Sequence, residues 1–94
     1  MSYHYPIDTT WTKQEVIDVV GFFTLVEQAY ETSVERDIFI AAYRKFKQIV
    51  PSKSEEKQSF AEFQKASGYS SYHVVKEAKK TTEKMIKMNQ GNAN

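Results

Sequence analysis

An all-α fold is what this sequence predicts: one domain of about four helices, a compact bundle or array joined by short capped turns. Three observations predict it. Apolar residues return at helical spacing in four successive segments. Ser or Thr stands three residues before Glu at two of the segment starts, Thr12-Lys-Gln-Glu15 and Ser52-Lys-Ser-Glu55, the pattern of a capping box. Only three glycines and two prolines occur in 94 residues, too few for a turn-rich β fold. No strand is expected.

Residues 1–11 read as an extended N-terminal arm. Pro6 disfavours helix at Tyr5, and Tyr3, Tyr5 and Ile7 alternate, so one side of the arm is placed on the helices. The first helix is expected over about Lys13–Tyr30. Val16, Val19, Val20, Phe22, Phe23, Val26, Ala29 and Tyr30 fill one broad arc of it, which makes it the central helix, while Ile17 and Leu25 fall outside. Glu27 projects into that arc, and two readings stay open: a rim carboxylate whose stem packs while its head meets water or a lysine, or a perturbed acid in a pocket.

The second helix is expected over about Val34–Val50, capped by Thr32 or Ser33, with Ile38, Phe39, Ala42, Tyr43, Phe46, Ile49 and Val50 as its stripe. Ile40 sits among the polar residues. Pro51 ends this helix because the residue before a proline avoids helical backbone. Ser52 or Ser54 then opens the third helix, about Lys53–Ser67, with Phe60, Phe63 and Ala66 as anchors. Gly68 suits the left-handed residue that closes it. The fourth helix is expected over about Ser71–Met88, capped by Ser70 or Ser71, with Tyr72, Val75, Ala78, Thr82, Met85 and Ile86 inward and Val74 flanking. Lys76, Lys80, Lys84 and Lys87 share its outer face, interrupted by Glu77 and Glu83. Residues 89–94 read as a flexible polar tail. The expected core is Val20, Phe23, Val26, Phe39, Phe46, Ile49, Phe60, Phe63 and Val75.

Composition excludes several classes of chemistry. With no cysteine there is no disulfide, thiolate zinc site or cysteine nucleophile. A net charge of +1 gives no bulk attraction to nucleic acid or to an anionic membrane. No signal peptide is read in Met1–Asp8, and the apolar run Val19–Val26 is far short of the ~20 residues that span a bilayer. A cytoplasmic protein is expected. Neither a Gly-rich phosphate loop nor a paired-histidine metal spacing is present. His4 lies on the arm, His73 falls beside Ser70 at a helix start, and the serines are explained as caps. No catalytic residue, metal or cofactor is assigned, and the chain is not expected to be an enzyme.

Three segments, Phe22–Tyr30, Ala42–Lys57 and Ala66–Tyr72, resemble a family of uncharacterised small proteins of Firmicutes, the family that contains YktA. The resemblance runs from about Tyr5 to Lys80. It implies an all-helical cytoplasmic protein and supplies no activity, ligand or catalytic residue.

Two functional expectations follow from the residues themselves. One is a protein-interaction module, bound to another protein or to itself, through Ile40, Arg44, Lys47, Lys53 and Lys57. The alternative is nucleic-acid binding through a helix-turn-helix of the third and fourth helices. Gly68, Tyr69 and Val74 fall where that motif wants a glycine and apolar residues, and Lys76, Lys80, Lys84 and Lys87 form the face offered to phosphate. Gln64 and Ser67 depart from it, and the surplus of lysine over glutamate from residue 53 onward is small.

Overall fold

The structure is a computed structural model that describes residues 4–89. Tyr3, the first of the alternating arm residues, and the tail beyond Asn89 lie outside those residues. Among the described residues four helices carry the fold: α1 (Lys13–Glu31), α2 (Arg36–Ile49), α3 (Lys53–Ser67) and α4 (Ser71–Lys80). Two short strands accompany them, β1 (Val34–Glu35) and β2 (Met85–Ile86), paired antiparallel with Val34 opposite Ile86 and Glu35 opposite Met85.

Local chemistry starts α1 and α3 where expected. The Thr12 hydroxyl accepts from the Glu15 amide at 3.1 Å, and the Glu15 carboxylate accepts from the Thr12 amide at 2.9 Å, a complete capping box. Thr12→Ala is expected to cost about 0.5–2 kcal/mol, read as a lower urea midpoint at unchanged slope. Ser52 caps α3 through the Glu55 amide, and Gly68 ends it at φ 84°, a conformation glycine adopts without a Cβ penalty. Ser70 caps α4 through the amide of His73 at 3.2 Å.

Helix α1 is central. Val19, Phe22, Phe23, Val26, Ala29 and Tyr30 are buried on it, Phe39 and Phe46 meet them from α2, Phe60 and Phe63 from α3, and Val74, Val75 and Ala78 from α4. Val20 and Ile49, expected in the core, are only half-buried. The end of α1 is held by an aromatic stack. Tyr30 and Tyr69 lie parallel with centroids 4.8 Å apart, the Tyr30 hydroxyl donates to the Ser70 carbonyl, and the Tyr69 hydroxyl donates to Glu31.

The chain departs from the sequence expectation at both ends of the strand pair. The second helix begins at Arg36, not Val34, and neither Thr32 nor Ser33 caps it; Glu35 holds the cap position without a side-chain bond. The fourth helix ends at Lys80, not Met88. The reason lies in the backbone groups that helix ends leave unpaired. The Arg36 amide, at the start of α2, donates to the Lys84 carbonyl at 2.8 Å, and the Ala29 carbonyl, at the end of α1, accepts from Met88 at 2.7 Å. The Arg36 guanidinium donates through Nε to the Ala78 carbonyl, in the last turn of α4, at 2.7 Å. An extended residue 81–88 segment thus serves the ends of α1 and α2 and buries Ile86 against Val34. The β-branched pair Thr81-Thr82 weakens any continuation of α4.

The inward faces of α2 and α4 are also rotated from the expected ones. Ile38 is exposed, whereas Ile40 packs on the core. Arg36, Ile40 and Tyr43 share the face that meets α4, where Arg36 bonds Ala78 and the Lys79 ammonium sits 5.3 Å over the Tyr43 ring. On α4, Tyr72 is exposed and Ser71, Val74, Val75 and Ala78 are buried, so Val74 is a core residue and Tyr72 is not.

Candidate functional site

Among the described residues of the arm, Tyr5 reaches both α1 and α3. The Tyr5 ring stacks on Phe63 of α3, with centroids 5.9 Å apart and planes 10° from parallel. Its hydroxyl donates to Glu27 of α1 at 2.5 Å, the length of an O–H···O⁻ bond. Glu27 is 7% exposed, and its head meets the Tyr5 hydroxyl instead of open water or a lysine. Desolvation raises its pKa above the ordinary 4.5, Tyr5 pulls it back down, and the Glu31 charge adds to the rise.

A raised carboxyl pKa makes a signed prediction. The Glu27 contribution to stability is complete below the unfolded value near 4.5 and is lost as pH rises through the higher folded value. Glu27→Gln, whose amide oxygen still accepts from Tyr5, is therefore expected to gain on the native protein between pH 4 and pH 7 in urea titrations. Tyr5→Phe keeps the stack but strands the carboxylate, at a cost of about 1–3 kcal/mol at pH 7. A Tyr5→Phe midpoint equal to that of the native protein would show that the arm is not held through Glu27.

After Tyr5 the arm turns. Asp8 Oδ1 accepts from the Thr10 amide at 2.8 Å and from the Thr10 hydroxyl at 2.7 Å, and the Trp11 amide closes the turn on the Asp8 carbonyl at 3.1 Å. These bonds to Thr10 lower the Asp8 pKa. Between this turn and the helices lies a groove of about 430 Å³. Pro6, Ile7, Asp8, Thr9 and Trp11 form one wall. Ile49 and Val50 close the end at the finish of α2, and Glu55, Gln58, Ser59 and Glu62 form the α3 wall. Positions 55, 58, 59 and 62 recur at helical spacing, so they share the face of α3 turned away from Phe60 and Phe63.

The residues expected to form an interaction surface are divided by the structure. Arg44, Lys53 and Lys57 are exposed. Ile40 is half-buried against the core, which corrects its reading as an outlying apolar residue. Lys47 is committed: its ammonium lies 2.7 Å from Glu56 Oε1 and 3.3 Å from the Pro51 carbonyl. Tyr43 donates to the other Glu56 oxygen at 2.7 Å, and burial, with Glu56 second, raises the phenol pKa. Lys47, Glu56 and Tyr43 thus form a polar clasp across the α2–α3 corner, with Lys53 and Lys57 outside it.

The proposed lysine face is divided too. Lys76 and Lys80 are exposed on α4, Lys80 lying 3.6 Å from Glu77. Lys84 and Lys87 flank β2 and belong to no helix, so the expected row of four on one helical face does not form. Between α3 and α4, Gly68 is left-handed, and both Tyr69 and Val74 are buried. Among the described residues no group of three or more His, Asp or Glu side chains is placed to hold a metal ion, and no helix is long and apolar enough to cross a membrane.

Comparison with known proteins agrees with the resemblance carried by the three segments. The model of an uncharacterised protein family, UPF0223, matches residues 2–87. A UPF0223 protein of Oceanobacillus iheyensis is 64% identical over 88 residues, which cover 94% of this chain and 100% of the relative. Similar proteins of Lysinibacillus sphaericus and Staphylococcus saprophyticus are 50% and 49% identical over 86 residues each. Both alignments cover 92% of this chain, and 90% and 94% of the respective relatives.

Proposed function

The chain belongs to the uncharacterised protein family UPF0223, a membership that names no activity, and we propose that it is a non-enzymatic protein-interaction module of the cytoplasm. One observation carries the reading: a groove between arm and α3 holds a half-exposed isoleucine, Ile7, on a concave surface. Concave sites with exposed apolar area are where binding excludes most water. Hydrogen-bonded titratable side chains support the same reading. Glu27 is engaged by Tyr5, Glu56 by Lys47 and Tyr43, and the exposed His73 by Ser70 through Nδ1 at 2.7 Å.

The test is capture of tagged protein from its native cell, with and without nuclease, followed by mass spectrometry. Ile7→Glu is run in parallel after its fold has been checked by circular dichroism. A protein retained by the native chain, insensitive to nuclease and lost with Ile7→Glu is the expected result. Capture that nuclease abolishes and Ile7→Glu leaves intact would overturn it.

A second reading, DNA binding through α3 and α4, draws support from the left-handed Gly68 between two helices and the buried Tyr69 and Val74. A gel-shift series separates the readings, because phosphate-driven binding falls steeply with salt.

A further inference from the structure

We propose that the groove between the arm and α3 takes a short segment of a partner protein in which an apolar side chain is flanked by lysine or arginine. The inference rests on the docking reading above and adds the chemistry of the partner.

The charge of the groove is the first argument. Three carboxylates, Asp8, Glu55 and Glu62, line it, and among the described residues its lining contains no lysine or arginine. The chain as a whole carries +1, so the groove is of opposite sign to the molecule around it. The neighbouring cation that could have offset it, Lys47, is spent on Glu56, and Lys53 and Lys57 do not line the groove. Glu55, in the first turn of α3, also offsets the positive end of that helix, which would otherwise attract anions. A nucleic acid, a phosphate or an acidic segment meets like charge here.

The apolar residues are the second argument. Ile7, Trp11, Ile49 and Val50 lie in the groove with the acids, and Ile7 is 49% exposed. An inorganic cation would leave this apolar area wet, and the three carboxylates do not gather into a metal-binding group. A side chain that covers Ile7 while its flanking ammonium or guanidinium groups meet the acids satisfies both features. The groove, about 430 Å³, has room for a few side chains and not for a folded domain. Asp8 is presented on a turn already fixed by Thr10, so little ordering is required on binding.

The test is a titration of the 15N-labelled full chain, followed by backbone amide shifts. The probes are capped nine-residue peptides with a central leucine between pairs of arginines, the same peptide with glutamates for arginines, and the same with serine for leucine. The arginine–leucine peptide is expected to give saturable shifts at residues 7–11 and 55–62. Its affinity is expected to fall about tenfold in Glu55→Gln/Glu62→Gln, and to weaken with added salt. Both substitutions are on exposed positions, and unchanged shifts elsewhere report an intact fold. Equal or tighter binding of the glutamate peptide, or no loss in the double variant, would overturn the basic partner while leaving the groove as a docking surface. Groove shifts that grow with protein concentration alone would assign the groove to a second copy of the chain and overturn the proposal. No saturable shift from any peptide overturns it as well, and the cell capture with Ile7→Glu then decides the docking reading separately.

Discussion

Replacing Phe22 with alanine is expected to destabilise the protein by about 3–5 kcal/mol, the largest effect of any single side chain. Its ring lies against those of Phe23, Phe39, Tyr43, Phe46 and Phe60, with centroids between 4.9 and 5.9 Å away. These neighbours come from α1, α2 and α3, so one truncation removes contacts to two other helices. Aromatic walls relax poorly into a void, which puts the cost at the cavity-forming end of the range. Edge-to-face and offset pairs add to it beyond the area buried. Urea unfolding at pH 7 measures the change, and a loss below about 1 kcal/mol would show that the ring cluster is not the centre of the core.

Ile86→Ala is expected to be next, at about 2–5 kcal/mol. Ile86 is buried opposite Val34, although both strands are two residues long. The loss would extend beyond the cavity, because the same segment supplies the Lys84 carbonyl to Arg36 and the Met88 amide to Ala29. Hydrogen exchange reads this directly. The Arg36 and Met88 amides are expected to lose protection together in the variant, whereas a helical segment through residue 88 would instead show its own amides protected through residues 82–86.

What was legible in the sequence is what neighbouring residues decide. Thr12, Ser52 and Gly68 act within a turn of the helices they start or stop, and α3 runs over the expected residues for that reason. The strand pair was not legible, because two-residue strands carry no period. Thr82, Met85 and Ile86 also match a helical stripe, and the backbone groups at Ala29 and Arg36 that favour extension lie on distant elements. The rotation of α2 had a similar cause. Ile38 and Ile40 are equally apolar, and the arrival of α4 beside Arg36 and Tyr43 decides which packs.

The groove was the least legible feature. Its walls come from residues 6–11, 49–50 and 55–62, and no local pattern joins them. Glu27 did stand out, as a carboxylate inside an apolar arc. Its donor, Tyr5, is twenty-two residues away, on the arm. Lys47 and Ile40 look like surface residues in the sequence for the same reason: Glu56 and the core side chains they meet lie largely on other elements.

Two isoleucines make the most direct test of the central claim, that this groove is where the protein acts. Ile7 and Ile17 are 49% and 52% exposed, nearly the same, but only Ile7 lines the groove. A photo-crosslinking amino acid placed at each position in turn, in the native cell, separates location from exposure. Position 7 is expected to give a discrete crosslinked protein and position 17 none. Crosslinks of equal yield from both, or from position 17 alone, would contradict the account.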